Sequence, residues 1–408
     1  MSCTSADVVV VGGGPAGVAA AVEMRRRGVG RVLLLDRERE LGGATRHCRH
    51  SPFGLCEFGC VYLGAAYGRR LADEAARAGV VVRTGHSVVR LDDDGALLVA
   101  HERGVEILTA RRVVVSAGAR ETPRSARLLS GDRPIGVLTT GALQAHVAFH
   151  GLMPFRKPVI VGSEWVSLSA VFTCLMQGAR PVAMLEPGPY PLASALLPAF
   201  PAVAAIPFCC GAEIVDIVGG ARVESVAFRV NGETRQAACD GVLLTGRFTP
   251  EAALFAVSPM GVDAGSAGPA IDQDGRCANP LYFAAGNVLR AIETGGWSFR
   301  EGRAVGAAVA EDLRRTAPAG APIAVRYADP IKLVVPSLLR ADGLAGRSFA
   351  NFQLRFARHA RGRLALEIDG REVWRKSGAW APERRVLTPL PEAALEARRV
   401  QFRFHEEG

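Results

Sequence analysis

Lysine is nearly missing from this 408-residue chain: Lys157, Lys332 and Lys376 stand against 46 arginines. Aromatic residues are scarce as well, at 6%. No uncharged run reads as a membrane helix; the longest, Pro187 to Ala212, is broken by Pro187, Pro189, Pro191, Pro198, Pro201 and Pro207. Nine cysteines over this length are too dilute for a disulfide-stapled secreted domain. The N-terminus lacks a basic start and a small-residue cleavage site, so we expect a cytoplasmic protein with reduced thiols. Any membrane association would be made through a partner. A 49% hydrophobic and 22% charged composition excludes a disordered chain, and the length allows two or three domains.

The net charge of +9 is unevenly spread. Residues Ala319 to Gly408 hold 16 basic and 10 acidic residues, whereas the first 318 hold 33 and 30. The excess of Arg over Lys, with abundant Ala and Gly, reads as a compositional bias of GC-rich codons. No nucleic-acid motif accompanies it, so a nucleic-acid partner is not expected.

Ala6 to Val11 reads as a buried parallel strand. It opens into Gly12-Gly13-Gly14-Pro15-Ala16-Gly17, an Ala-rich helix ending near Gly28, and a strand from Arg31 to Leu35 closed by Asp36-Arg37. Gly12-x-Gly14-x-x-Gly17 in this setting is a dinucleotide-binding turn. Gly12 permits the turn, Gly14 admits a diphosphate, and Gly17 lets the helix lie on the strand. Helix N-terminal amides hold the phosphates, and Asp36 is placed to accept from ribose hydroxyls.

Further features favour a flavin over a nicotinamide. Leu41-Gly42-Gly43 offers a second backbone approach, Arg112 to Gly118 ends a strand in Ala117-Gly118, and Asn279 to Asn287 returns as a strand ending in Gly286-Asn287. A helix follows, roughly from Ser298 to Arg315.

These segments resemble the two-dinucleotide-binding-domain flavoproteins related to pyridine nucleotide–disulfide oxidoreductases. GGATRHCRHSPFG, VIVGSEWVSLSA and FAAGNVLRAIETGGWSFREGR are similar to accessory flavin subunits. Those are the flavin subunits of opine oxidases, hydrogen cyanide synthase and dye-linked proline or hydroxyproline dehydrogenases. The resemblance spans about Ser5 to Leu313 and implies FAD. It also implies that Asn287 stands where the family has an acid for the ribityl chain, and that the helix near Trp297 points its N-terminus at the flavin pyrimidine edge.

A second strand–turn–helix–strand unit begins at Pro158 to Gly162 and ends at Glu186, within an inserted domain. Its glycine pattern falls at Gly162, Glu164 and Ser167. Glu164 sets a carboxylate where a diphosphate would approach, so NAD(P) is not expected there. The expected architecture is α/β: two Rossmann-like three-layer domains, the second inserted in the first, plus a small C-terminal β module. Residues 1–136 and 250–318 form the FAD-binding domain, 137–249 the degenerate insert, and 319–408 an antiparallel β module after a Thr-Ala-Pro-Ala-Gly-Ala-Pro linker.

No C-x2-C or C-x4-C spacing supports a flavin-stacked dithiol. His47, Cys48, His50, Cys56 and Cys60 raise a metal reading, but no second ligand pair recurs at a usable spacing, so no metal is expected. Cys48 is the thiol to test, since Arg46-His47-Cys48-Arg49-His50 matches the subgroup's element. Arg46, His47, Arg49 and His50 bind an anionic substrate, orient the flavin or meet a partner; alternatively they form an Arg-rich surface loop. The family comparison places Glu293 near the flavin edge, as a base or a substrate-amine ligand.

The tail reads as strands at Ser348–Phe356, Gly362–Asp369, Glu372–Lys376 and Arg398–Phe404, with a turn at Asp369-Gly370. Its positive surplus either faces an acidic partner subunit or is a solvated surface. Taken together, we expect a FAD-dependent subunit of a multisubunit dehydrogenase. It would oxidise a small amine, amino acid or polyol by hydride transfer to FAD and pass electrons to another dehydrogenase subunit rather than NAD. The alternatives are a non-catalytic FAD-binding assembly subunit or a free-standing NAD(P)H-dependent flavin reductase.

Overall fold

The computed structural model describes residues 3–50, 52–192, 204–315, 320–344 and 347–407. Two compact units emerge: Met1–Thr45 with Pro52–Ala119 and Pro250–Gly408, and Arg46–Ser51 with Arg120–Thr249. Part of the proline-rich run (193–203) and of the expected linker (316–319) lies outside the described residues.

The first unit is built on a seven-stranded sheet in the order Val81–Thr84, Val32–Asp36, Cys3–Val11, Gly104–Val115, Ala96–His101, Ser87–Leu91, with Tyr282–Ala284 also pairing to Gly104–Val115. Val8, Val9, Val10, Leu33, Leu34, Val113, Val114 and Val115 are all at 1% exposure or less, as both faces of the parallel part of this mixed sheet are covered. The helix Pro15–Arg26 starts with Pro at its first turn, where no intrahelical N–H is needed. Its alanines permit close approach by the helix Gly295–Asp312. A Cβ on Gly302 would stand 2.6 Å from Ala16 Cα, and one on Gly306 would stand 2.8 Å from Ala20 Cα. Thr294 caps that second helix by accepting from the Trp297 N–H, so the helix begins three residues before the expected Ser298.

The same unit includes the C-terminal strands. One sheet runs Leu338–Leu339, Ile323–Arg326, Val400–Glu406, Ala360–Ile368, Arg371–Trp380; a second runs Ile331–Val335, Asn351–Phe356, Val386–Pro389. Phe352, Leu354, Phe356, Leu364, Leu366 and Phe402 fill their core. Asp369 and Gly370 make the expected turn, both at positive φ (49° and 82°), which suits a two-residue hairpin. The pairing of Ile323–Arg326 with Val400–Glu406 departs from the antiparallel expectation: Val325 lies parallel to Val400, because a long connection separates the two strands.

The second unit has a parallel sheet in the order Phe208–Cys210, Ala183–Glu186, Pro158–Val161, Gly241–Leu244, Val137–Thr139. The helices Thr140–His150 and Trp165–Met176 accompany it. A three-stranded antiparallel sheet, Glu213–Val218, Ser225–Val230 and Glu233–Ala238, completes the unit.

Candidate functional site: a dinucleotide turn and its closing loop

The turn after Cys3–Val11 is held by backbone crowding. Gly12 has φ +102°, and a Cβ there would sit 2.5 Å from the Ser116 carbonyl oxygen. Gly17 is closer still: a Cβ would collide with the Gly12 carbonyl and lie 2.5 Å from Ser116 Oγ. Ser116 in turn donates to the Val11 and Gly12 carbonyls at 3.0 and 2.9 Å. Ser116 therefore fixes the turn, a role its own strand-end position does not signal. Ala117 and Gly118 continue from it, partly exposed.

Asp36 is 7% exposed. One carboxylate oxygen accepts from the Gly13 N–H at 2.7 Å and the other from the Glu38 N–H at 2.8 Å. Burial pushes its pKa up, against the pull of those two N–H bonds. A carboxylate has about four acceptor sites, so each oxygen keeps room for a hydroxyl. Arg37 points outward beside Glu38 at 3.8 Å. Gly42 donates to the Gly13 carbonyl at 2.8 Å, and a Cβ on Gly43 would be 3.1 Å from Gly14 Cα. Two glycine backbones thus face each other across a narrow gap that side chains would fill.

The closing loop is organised by buried charge. Gly286 donates to Glu301 Oε1 at 2.8 Å, and Arg290 Nη2 reaches Glu301 Oε2 at 2.5 Å. Arg290 also donates to Gln353 at 2.9 Å. Asn287 accepts from the Glu293 N–H at 2.7 Å and donates Nδ2 to the Glu293 carbonyl at 3.2 Å. An aspartate could make only the first of these bonds. The Glu293 carboxylate is 5% exposed, 2.6 Å from Arg355 Nη2 and also paired with Arg385. Arg385 stacks on Trp297 at 3.5 Å. Ser298 Oγ and Trp297 Nε1, in the first turn of Gly295–Asp312, are buried without a hydrogen-bond partner.

In the second unit, Arg46 stacks over Phe149 at 4.9 Å, His47 meets the same ring edge-on, and Cys48 lies 4.0 Å from Gln144 Oε1. Burial raises the Cys48 thiol to about 11, so at neutral pH it is a protonated thiol. Arg49 is exposed and His50 partly so. Cys56 and Cys60 are exposed in the first unit; the helix Leu55–Phe58 stops between them, so they do not share a helix face.

Residues 6–311 match the model of the pyridine nucleotide-disulphide oxidoreductase family. The chain belongs to that family. It is a flavin-dependent oxidoreductase with the family's two-domain α/β fold. The family member is 26% identical to an opine oxidase subunit of Agrobacterium tumefaciens (strain Ach5), over 69% of this chain and 61% of that one. It is 31% identical to the alpha subunit of sarcosine oxidase from Corynebacterium sp. (strain P-1), over 38% of this chain and 16% of that one. It therefore spans less than two thirds of either relative. The crystal structure of T. acidophilum thioredoxin reductase has the same fold, with a TM-score of 0.63 and 22% identity over 76% of this chain and 99% of that one.

The first unit's residues fit FAD. The gap between Gly14 and Gly43 is one that any Cβ would narrow, Asp36 retains acceptor capacity, and Trp297 and Ser298 hold buried donors without partners. Glu301, Arg290, Arg355 and Arg385, which organise the loop, are not among the expected site residues. The available signal is Glu301 itself, an acid three residues after Ser298 and next to Gly302 on the buried helix face.

Proposed function

We propose that this chain is the flavin subunit of a multisubunit dehydrogenase. It oxidises a small amine, amino acid or polyol, and its electrons go to a partner subunit rather than to NAD. One observation carries the reading: an intact dinucleotide turn over Asp36, in a family member whose relatives are named as subunits of opine and sarcosine oxidases.

Bound FAD would supply the two-electron acceptor. We assign its diphosphate to the backbone of Gly12, Gly14, Pro15, Ala16 and Gly17 and its ribose to Asp36. Gly42, Gly43, Ala117, Gly118 and Gly286 are assigned as close backbone approaches. Asn287 shapes the closing loop, and the first turn of Gly295–Asp312, with Trp297 and Ser298, presents donors and a positive helix end to the cofactor's anionic edge. The cationic set Arg46, His47, Arg49 and His50 remains assigned to an anionic substrate or a partner. The exposed edge strand Arg371–Trp380, with Arg371, Arg375 and Lys376 along it, suits an acidic partner subunit.

A second reading, the non-catalytic assembly subunit, draws on Glu293: its carboxylate is already occupied by Arg355 and Arg385. Anaerobic addition of sarcosine, proline, an opine or glycerol phosphate separates the two. The FAD-loaded protein, alone and with co-purified partners, should lose its oxidised-flavin absorbance with at least one of these. No bleaching in any combination refutes the catalytic reading.

A further inference from the structure

The family's second cofactor, a nicotinamide dinucleotide, does not fit the second unit as built. Gly162, at φ +124°, turns the chain out of Pro158–Val161 as a dinucleotide turn requires. The next glycine of the pattern is replaced by Glu164, the residue immediately before the helix Trp165–Met176. Its side chain does not cap that helix by accepting from a backbone N–H. It folds over the strand ends instead. Oε2 lies 3.0 Å from Ser167 Oγ and 3.0 Å from Thr245 Oγ1, and those two hydroxyls are 2.6 Å apart.

Two glycines frame the carboxylate. A Cβ on Gly162 would be 2.6 Å from Glu164 Oε2, and one on Gly246 would be 2.7 Å from the same atom and collide with Oε1. The carboxylate therefore fills the space between the ends of Pro158–Val161 and Gly241–Leu244, where a diphosphate approaches such a turn. Arg127 provides a nearby positive charge. Its guanidinium is fixed by the carbonyls of Thr122, Thr245 and Gly246 at 2.8, 2.9 and 2.8 Å. The rest of a dinucleotide site persists: Glu186 ends Ala183–Glu186 at 3% exposure, accepting from Ser163 Oγ and from the Gly188 N–H at 2.7 Å. An acid at that position favours a free ribose 2′-hydroxyl over a 2′-phosphate.

We propose that Glu164 is an internal occupant of the diphosphate cradle. The second unit binds neither NADH nor NADPH, and truncation of this side chain, rather than loss of its charge, opens it to NADH. This rests on the preceding reading only in the choice of electron acceptor, so its failure leaves the FAD and substrate assignments untouched.

The test is a fluorescence titration of NADH and of NADPH with the full-length, FAD-loaded protein, which reads binding separately from flavin reduction. Wild type should show no saturable binding up to millimolar nucleotide. E164A should gain at least about tenfold in NADH affinity and less for NADPH. E164Q, with the same reach and no charge, should stay closed. Saturable micromolar binding by wild type overturns the proposal. So does a folded E164A that binds no better than wild type, or an E164Q that opens as far as E164A. Should E164A fail to fold, E164S retains a hydroxyl among Ser167 and Thr245 and is read by the same two outcomes.

Discussion

Glu301 gives the sharpest test of how the closing loop is held. It is 6% exposed, takes the Gly286 N–H at 2.8 Å, and pairs with Arg290, itself 1% exposed, at 2.5 Å. In E301A, Arg290 keeps its bond to Gln353, but the nearest remaining carboxylate is Glu293, 3.9 Å away and already engaged by Arg355 and Arg385. Breaking one side of a buried pair costs about 3–5 kcal/mol, because the surviving charge stays desolvated. The orphaned Gly286 N–H belongs to the same network, so its cost overlaps rather than adds. E301Q preserves an acceptor for Gly286 and loses only the charge, so it should cost less, about 1.5–3 kcal/mol. The double variant E301L/R290M removes both charges and should recover part of the E301A loss. Urea unfolding followed by flavin release reports on this unit, with E301A also releasing flavin at lower urea. An E301A protein within about 1 kcal/mol of wild type would refute the claim that the ion pair anchors the loop.

Two further outcomes follow from local geometry. G302A places a methyl 2.6 Å from Ala16 Cα, and forcing the two helices apart should cost about 1–3 kcal/mol in thermal unfolding; wild-type stability would refute that contact. Cys48, its thiol raised to about 11 by burial, holds about one thousandth of its population as thiolate at pH 8. Peptide mapping after iodoacetamide should find the exposed Cys56 and Cys60 alkylated at pH 8, with Cys48 following only as pH rises above about 10. Equal labelling of Cys48 at pH 8 would contradict that upward shift of its thiol.

What the sequence makes legible is local. The spacing of Gly12, Gly14 and Gly17 against Asp36 follows from strand, turn and helix lengths, and the structure brings Gly13 onto the Asp36 carboxylate across only 23 positions. The Asp369-Gly370 turn is readable for the same reason. Asn287 is not. The resemblance sets it where the family has an acid for the ribityl chain, yet both ends of its amide grip the Glu293 backbone, a loop closure that no periodicity encodes. Glu301 escapes notice because a lone acid on a helix ordinarily faces water. Here Gly302 and Gly306 turn that face inward against Ala16 and Ala20, carrying the acid with them. Small residues spaced by four on both helices are the available clue, and it becomes informative only once the helices are known to touch.

The basic tail shows why a charge count misleads. Arg340 is 4% exposed, 3.3 Å from Asp272 and donating to the Gly320 carbonyl at 2.6 Å. Arg355 reaches both Glu293 and the Ile292 carbonyl, and Arg385 joins Glu293 while covering Trp297. These three side chains come from the segment with the positive surplus, and the partners just named lie at residues 272–320, outside or at the very start of that segment, although Arg355 also donates to the Glu383 carbonyl within it. Each guanidinium engages more than one group, which a planar fork of five donors allows and a lysine ammonium does poorly. Arginine therefore fastens the C-terminal strands to the loop that closes the dinucleotide turn. The segment's surplus of 16 bases over 10 acids arises partly because two neutralising acids, Asp272 and Glu293, lie earlier in the chain. The surface charge that remains is correspondingly smaller, and Arg371, Arg375 and Lys376 on the exposed edge strand Arg371–Trp380 are part of it.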